Sequence, residues 1–476
     1  MTSPLEPDAD GMRALVLGAL ERIVQHVETL EAQGVADMGA GGERMPSLLD
    51  EPLPESGTDY AALLDTLFQD VIPSSLNTAS PGHFSYIPNG GLFHAAVAEL
   101  ITAATNRYVA YWAAAPGLAQ LEKVVIRWLA DLVGYGRESG GVLTSGGSLA
   151  NLMALVAARR TRLPPDFLRG AIYCSDQVHH SVRKAVVLAG FEPDRLRVVA
   201  CDAKRRLDPR ALRERVAADR AEGSSPFFVV ATAGTTNTGA VDDLDALADV
   251  CRDEDLWLHV DAAYGGFFLL TERGAAAMRG IERSDSVVLD PHKSLFLPFG
   301  TGSLLVRDHQ TLLRAHVVHS DYISAAVEVG AAADATNFAD LSPEMSRASR
   351  GLRLWLPLKL MGAAPFRAAL DEKLDLALHC EAVLRRRSDI EILAPTALST
   401  VTFRVVRSSA SEDENDDLNR RVLRGVIRRQ RAHLSHTLLD GHEAIRICVL
   451  NFRTHRRHVD QCLEDVAAAI DEASTD

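Results

Sequence analysis

The chain has 476 residues, 47% apolar and 24% charged, which suits two or three domains around a large core and excludes a disordered, collagenous or coiled-coil protein. Its 50 Lys and Arg against 64 Asp and Glu give a net charge of −14, so neither nucleic acid nor a membrane surface is the expected partner. The six cysteines form no C-x-x-C pair and the acidic N-terminus has no apolar leader, which predicts free thiols in the cytoplasm.

Apolar spacing predicts a first helix over 12–31 (Leu15, Leu17, Leu20, Ile23, Val27, Leu30) and a second over 60–71, separated by Gly-rich and Pro-rich linkers. Residues 1–79 therefore read as a helical arm that packs on a partner subunit. From 80 to 355 the pattern changes. Short Val-, Ile- and Phe-rich runs at 171–174, 196–200, 227–232, 256–260, 286–289 and 302–306 alternate with helical stretches. That alternation predicts an α/β domain with a mostly parallel central sheet flanked by helices, whose ligand sits beyond the carboxyl ends of the strands. Residues 356–476 read as a small α+β domain, with strands at 400–405 and 445–450 and helices at 418–431 and 458–470. The acidic stretch 410–417 is expected to be a solvated turn.

The chemistry is sought after each strand. Thr144-Ser145-Gly146-Gly147-Ser148-Leu149-Ala150-Asn151 opens a long helix. Glycines allow close backbone approach, and the first helical turn offers unpaired N–H groups, so the segment is either a phosphate cradle or a plain N-cap. The run 256–260 ends at Asp261-Ala262-Ala263, a strand-end acid beside a residue small enough to admit a flat ligand. The run 286–289 ends at Asp290-Pro291-His292-Lys293, where Lys293 is either a surface charge or an amine desolvated for Schiff-base chemistry. His179 and His180 follow the run 171–174. Adjacent loop histidines without a Cys or carboxylate at ligand spacing do not make a metal site, and one imidazole stacked on a planar ring explains the placement better. A phosphate cradle, a stacking ring, a carboxylate for a pyridinium nitrogen and a Schiff-base lysine are what pyridoxal 5′-phosphate requires.

These motifs, with SDQVHHSVRKA (175–185), ATAGTTNTGAVDDL (231–244), WLHVDAAYGG (257–266) and DPHKSLFLPFGTG (290–302), resemble the group II pyridoxal-phosphate decarboxylases over nearly the whole chain. The resemblance implies a fold-type I homodimer with its active site at the subunit interface. It implies that Lys293 anchors the cofactor, Asp261 pairs with the pyridine nitrogen, Ala263 packs under the ring and His179 stacks over it. Thr236 lies near the ring substituents, and Gly146, Gly147, Ser148 and His292 hold the phosphate. Tyr322, 29 residues beyond Lys293, matches a loop tyrosine of the family that reaches the partner's site and delivers a proton to the α-carbon. The family often has Asn at the position of Asp290; that acid and His180 have no assigned role.

The implied reaction is α-decarboxylation of an L-amino acid to an amine and CO₂. For the side-chain pocket the candidates are Tyr86, Ile87 and Tyr108, which favour an aromatic substrate. Arg347 and Arg453 are carboxylate partners that would suit glutamate, aspartate, cysteine sulfinate or 2,4-diaminobutyrate. Also open are an oxygen-consuming aldehyde synthase, an aminotransferase, and a non-catalytic paralogue that only binds a partner.

Overall fold

The computed structural model describes residues 5–35, 49–317 and 335–475. Two helices lead, α1 (Ala9–Glu28) and α2 (Tyr60–Thr66). Asp8 and Asp59 cap them, accepting the N–H of Gly11 at 2.8 Å and of Ala62 at 3.1 Å. α1 buries none of its residues, and Leu15, Leu17, Leu20 and Val27 stay exposed. The Tyr60 hydroxyl donates to the Leu15 carbonyl at 3.0 Å and ties the two helices together.

After helix α3 (Pro116–Val133) comes a seven-stranded sheet: β1 (Gly140–Thr144), β2 (Gly170–Ser175), β3 (Leu196–Val199), β4 (Ser225–Thr232), β5 (Trp257–Asp261), β6 (Ser286–Leu289) and β7 (Gly302–Val306). Its spatial order is β1-β7-β6-β5-β4-β2-β3. The four pairs from β3 to β6 are parallel, and β7 is antiparallel to both neighbours. Strands buried on both faces read as continuous apolar runs, which is why six of the seven were legible. β1 was not, because it opens on two glycines and only Val142 and Leu143 carry apolar side chains.

Helices α4 (Gly147–Arg162) and α5 (His180–Leu188) follow β1 and β2. β1, β2, β4, β5 and β6 share one direction, so their carboxyl ends open on one edge of the sheet. Helices α6 (Gly351–Met361) and α7 (Ala364–Leu384) lead onward. α7 serves two cores: Phe366, Leu370 and Leu374 pack with the large sheet, while Leu376, Ala377 and Cys380 pack in a second cluster. That second cluster also contains Phe84. It covers an antiparallel sheet of β8 (Ile390–Ile392), β9 (Thr400–Val405), β10 (Ser435–Leu439) and β11 (His442–Cys448), in the order β10-β11-β9-β8.

The expected solvated turn at 410–417 is instead the first turns of helix α8 (Glu412–Arg428). Ser411 and Glu414 form a reciprocal capping box, and Asn415 and Asp416 are buried. Helix α9 (Arg456–Thr475) ends the described chain. The six cysteines are unpaired, and among the described residues no helix is long and apolar enough to cross a membrane.

Candidate active site

A cavity of about 340 Å³ lies beyond the carboxyl edge of the large sheet. Each wall comes from the end of a strand. The turn after β1 gives Gly146, Gly147 and Ser148, the loop after β2 gives His179, and the loop after β4 gives Thr236. β5 ends in Asp261 and is followed by Ala263, and the turn after β6 gives Asp290, His292 and Lys293. All nine residues expected to hold the cofactor line this one cavity.

The sixteen-residue helix α4 starts at the cavity wall, where the N–H groups of Gly147 and Ser148 have no intrahelical acceptors. The turn before it is packed without slack. A Cβ on Gly302 would lie 2.5 Å from the Gly146 Cα, and one on Gly147 would lie 3.0 Å from Asp290 Oδ2 and 3.3 Å from the Ala263 Cβ. The Lys293 ammonium sits 3.0 Å from Asp290 Oδ2, with 22% of its side chain exposed. Asp290 is buried, and its Oδ1 has no hydrogen-bond partner among the described residues. Asp261 Oδ1 accepts the Ala263 N–H at 3.2 Å and Oδ2 the Asn151 amide at 3.0 Å, which fixes its carboxylate at the end of β5. His179 caps α5, and its Nδ1 lies 2.8 Å from the Ser181 hydroxyl. Burial holds His179 and His292 below the ordinary histidine pKa, so both imidazoles are neutral near pH 7. His292 Nδ1 accepts the Thr301 N–H at 3.2 Å, and its carbonyl accepts the Asn89 amide at 2.6 Å. A helix N-terminus, a lysine at hand and a buried acid for a ring nitrogen fit a phosphorylated pyridine aldehyde.

The family model for the pyridoxal-dependent decarboxylase conserved domain matches residues 42–406. The aromatic-L-amino-acid decarboxylase of Bacillus atrophaeus is 35% identical over 475 residues, covering 100% of this chain and 98% of that protein. Among solved structures, Oryza sativa TDC with PLP and tryptamine superposes with a TM-score of 0.92 at 29% identity, covering 99% of both chains. Catharanthus roseus tryptophan decarboxylase in complex with L-tryptophan gives a TM-score of 0.90 at 27% identity, covering 99% of this chain and 100% of that one. The chain belongs to the pyridoxal-dependent decarboxylase family. Its cofactor is pyridoxal 5′-phosphate, and it is an amino acid decarboxylase.

The residues expected to contact substrate lie elsewhere than the cofactor residues of this decarboxylase. Arg347 does not line the cavity. Its guanidinium donates to both oxygens of Glu122 on α3, at 2.9 and 2.6 Å, and to the Leu143 carbonyl, with its side chain fully buried. Arg453 donates to the Gly90 carbonyl and stacks 4.4 Å from the Phe452 ring, away from the cavity wall. Tyr86, Ile87 and Tyr108 also lie off that wall; Tyr86 and Tyr108 are exposed in the single chain, and the Tyr108 hydroxyl donates to the Met345 carbonyl at 3.2 Å. Tyr322 lies outside the described residues.

Sequence reasoning passed over Asn151, Ser181 and His259. The signals were present: Asn151 stands one helical turn after Gly147, Ser181 two residues after His179, and His259 two residues before Asp261, on the same face of β5. It also passed over Arg446, which is buried, has no carboxylate partner among the described residues, and donates to the carbonyls of Asn237, beside Thr236, and of Tyr86.

Proposed function

We propose that this decarboxylase removes CO₂ from an aromatic L-amino acid and releases the amine, in a cavity completed by a second copy of the chain. The observation that carries the reading is the convergence of Lys293, Asp261, His179 and the Gly146–Ser148 turn on one cavity. The aromatic preference is supported by relatives named for aromatic-L-amino-acid and tryptophan decarboxylation.

Bound pyridoxal phosphate supplies a ring that accepts the electron pair left behind by CO₂. The chain's own groups do the rest. Lys293 would offer the amine that holds the cofactor aldehyde. The first turn of α4, with Gly146, Gly147, Ser148 and His292, holds the phosphate. Asp261 keeps a proton on the ring nitrogen, which places stabilising charge where negative charge develops. Ala263 would leave room for the ring, His179 would stack on it, and Thr236 would border its substituents. Tyr322 would deliver a proton to the α-carbon.

The second copy is supported by α1, which carries an apolar row with no core of its own. Residues 1–79 act in this reading as an arm around the partner, while 80–355 and 356–476 form the large and small domains. Tyr86, Ile87 and Tyr108 then face the partner's cavity and select for aromatic side chains. The cytoplasm is the fitting compartment for six free thiols.

The test is a panel of L-tryptophan, L-tyrosine, L-phenylalanine, L-glutamate, L-aspartate and L-2,4-diaminobutyrate, assayed for CO₂ and amine together. Stoichiometric amine from an aromatic member is expected. Turnover confined to the acidic or diamino members overturns the substrate reading. Stoichiometric aldehyde with oxygen uptake replaces it with the synthase.

A further inference from the structure

Behind the cavity runs a hydrogen-bonded chain that the reaction as described does not use. Trp257 Nε1 lies 2.8 Å from Ser286 Oγ, which lies 2.8 Å from His259 Nδ1. His259 Nε2 lies 2.8 Å from Asn151 Oδ1. The Asn151 amide nitrogen reaches both Asp261 Oδ2 and Ser181 Oγ at 3.0 Å, and Ser181 Oγ lies 2.8 Å from His179 Nδ1. From Trp257 to Ser181 each member is 5% exposed or less.

The polarity of the chain follows from its acidic end. A carboxylate only accepts, so the amide nitrogen of Asn151 faces Asp261 and its Oδ1 faces His259. An amide oxygen only accepts, so His259 carries its proton on Nε2, and its Nδ1 accepts from the Ser286 hydroxyl. Trp257 Nε1, which only donates, fills a lone pair of Ser286 Oγ and agrees with that direction. The second amide hydrogen occupies one lone pair of Ser181 Oγ. The backbone N–H of Ser181 points at His179 Nδ1, at 3.3 Å, so that nitrogen is an acceptor and the Ser181 hydroxyl donates to it. Burial, which holds His259 down to about 4, keeps that imidazole neutral and the polarity single-valued.

We propose that Asn151 is a positioning residue that locks Asp261 and His179 together, holding His179 as its Nε2–H tautomer so that this nitrogen is a hydrogen-bond donor to the cavity. One side-chain amide then ties the acid that meets the ring nitrogen to the imidazole above the ring. A ring bound between them meets a fixed acceptor and a fixed donor, with nothing to reorient during reaction.

This inference rests on the cofactor site proposed above but is tested separately. The readout is the histidine tautomer, measured through side-chain ¹³C and ¹⁵N signals of histidine-labelled full-length protein, with and without added pyridoxal 5′-phosphate; His179→Gln and His259→Gln assign the signals. Both imidazoles are expected as Nε2–H in the wild-type chain. Asn151→Leu removes the amide hydrogen that occupies Ser181 Oγ without setting a second carboxylate against Asp261. Ser181 Oγ can then accept from the imidazole, and His179 is expected to shift toward the Nδ1–H form. Ser181→Ala, which removes the hydroxyl without adding a charge, is expected to shift His179 in the same sense. His179 already in the Nδ1–H form in the wild type overturns the proposal, as does a His179 signal unmoved by both variants. If the cofactor site itself is misassigned, these signals still hold, and borohydride labelling of Lys293 is what fails.

Discussion

Replacing Arg347 separates a structural arginine from a substrate ligand. Arg347→Met removes the cation that meets both oxygens of Glu122 in a pair whose side chains are 0% and 2% exposed. Glu122 is then left as a buried charge without its partner. Breaking a buried pair from one side costs about 3–5 kcal/mol, most of it the desolvation of the surviving ion. Unfolding entropy of about 2.1 cal/mol/K per residue makes that loss worth about 3–5 °C of melting temperature, if the chain melts as one unit. A second effect reaches the cavity. Arg347 and Arg350 both donate to the Leu143 carbonyl, at 3.0 and 3.3 Å, one residue before the end of β1 and its phosphate turn. Cofactor binding is therefore expected to weaken with stability, while KM for amino acid at saturating cofactor stays within about threefold, less than one hydrogen bond to a charge provides. Glu122→Leu combined with Arg347→Met removes both charges and is expected to recover most of the melting temperature. The measurements are thermal melts and a KM determination on the three proteins. A tenfold rise in KM with an unchanged melt would return Arg347 to the substrate site and refute the reasoning.

Asp290→Asn is expected to tighten pyridoxal phosphate binding about tenfold, because a buried carboxylate beside the phosphate turn opposes the incoming anion and holds the Lys293 ammonium; weaker binding in a fluorescence titration would show that the acid helps. His83 and His259, held by burial at about 3 and about 4, are neutral in the fold while the unfolded chain takes up protons below its ordinary 6.5. Stability is therefore level above that value and falls as pH drops, by about 2 kcal/mol per histidine near pH 5; urea melts showing equal stability at the two pH values would contradict this. Tyr322→Phe should let CO₂ release continue while product shifts from amine to aldehyde with matching oxygen uptake; unchanged amine yield without oxygen uptake leaves Tyr322 without a chemical role. Mixing Lys293→Ala with Tyr322→Phe chains should restore amine formation in one site of a mixed dimer, and no recovery despite proven subunit exchange would argue against a shared site.

The cavity was legible because its parts are local. Each cofactor residue stands within a few residues of a strand end, and a buried parallel strand announces itself by an unbroken apolar run. What could not be read was pairing across the chain. Arg347 looked like a ligand for a substrate carboxylate because nothing near it in sequence reveals Glu122, 225 residues away. Asp290 looked out of place beside a phosphate because its contact with Lys293 depends on a single turn of backbone after β6. The segment 410–417 was misjudged for a different reason. Its acids suggested solvent, although Ser411 and Glu414 already spelled a capping box, and the helix they start buries Asn415 and Asp416. The Asn151 network stayed hidden because it joins residues from α4, the start of α5, β5 and β6 that meet only in the folded sheet.

The central claim is that the strand-end cavity carries pyridoxal phosphate on Lys293. Reduction of the cofactor-loaded protein with borohydride, followed by peptide mapping, tests it most directly. The expected result is one phosphopyridoxyl group per chain on the peptide containing Lys293, and none in Lys293→Ala. A stable adduct at full occupancy on another lysine, or a Lys293→Ala protein that labels as the wild type does, would contradict the account.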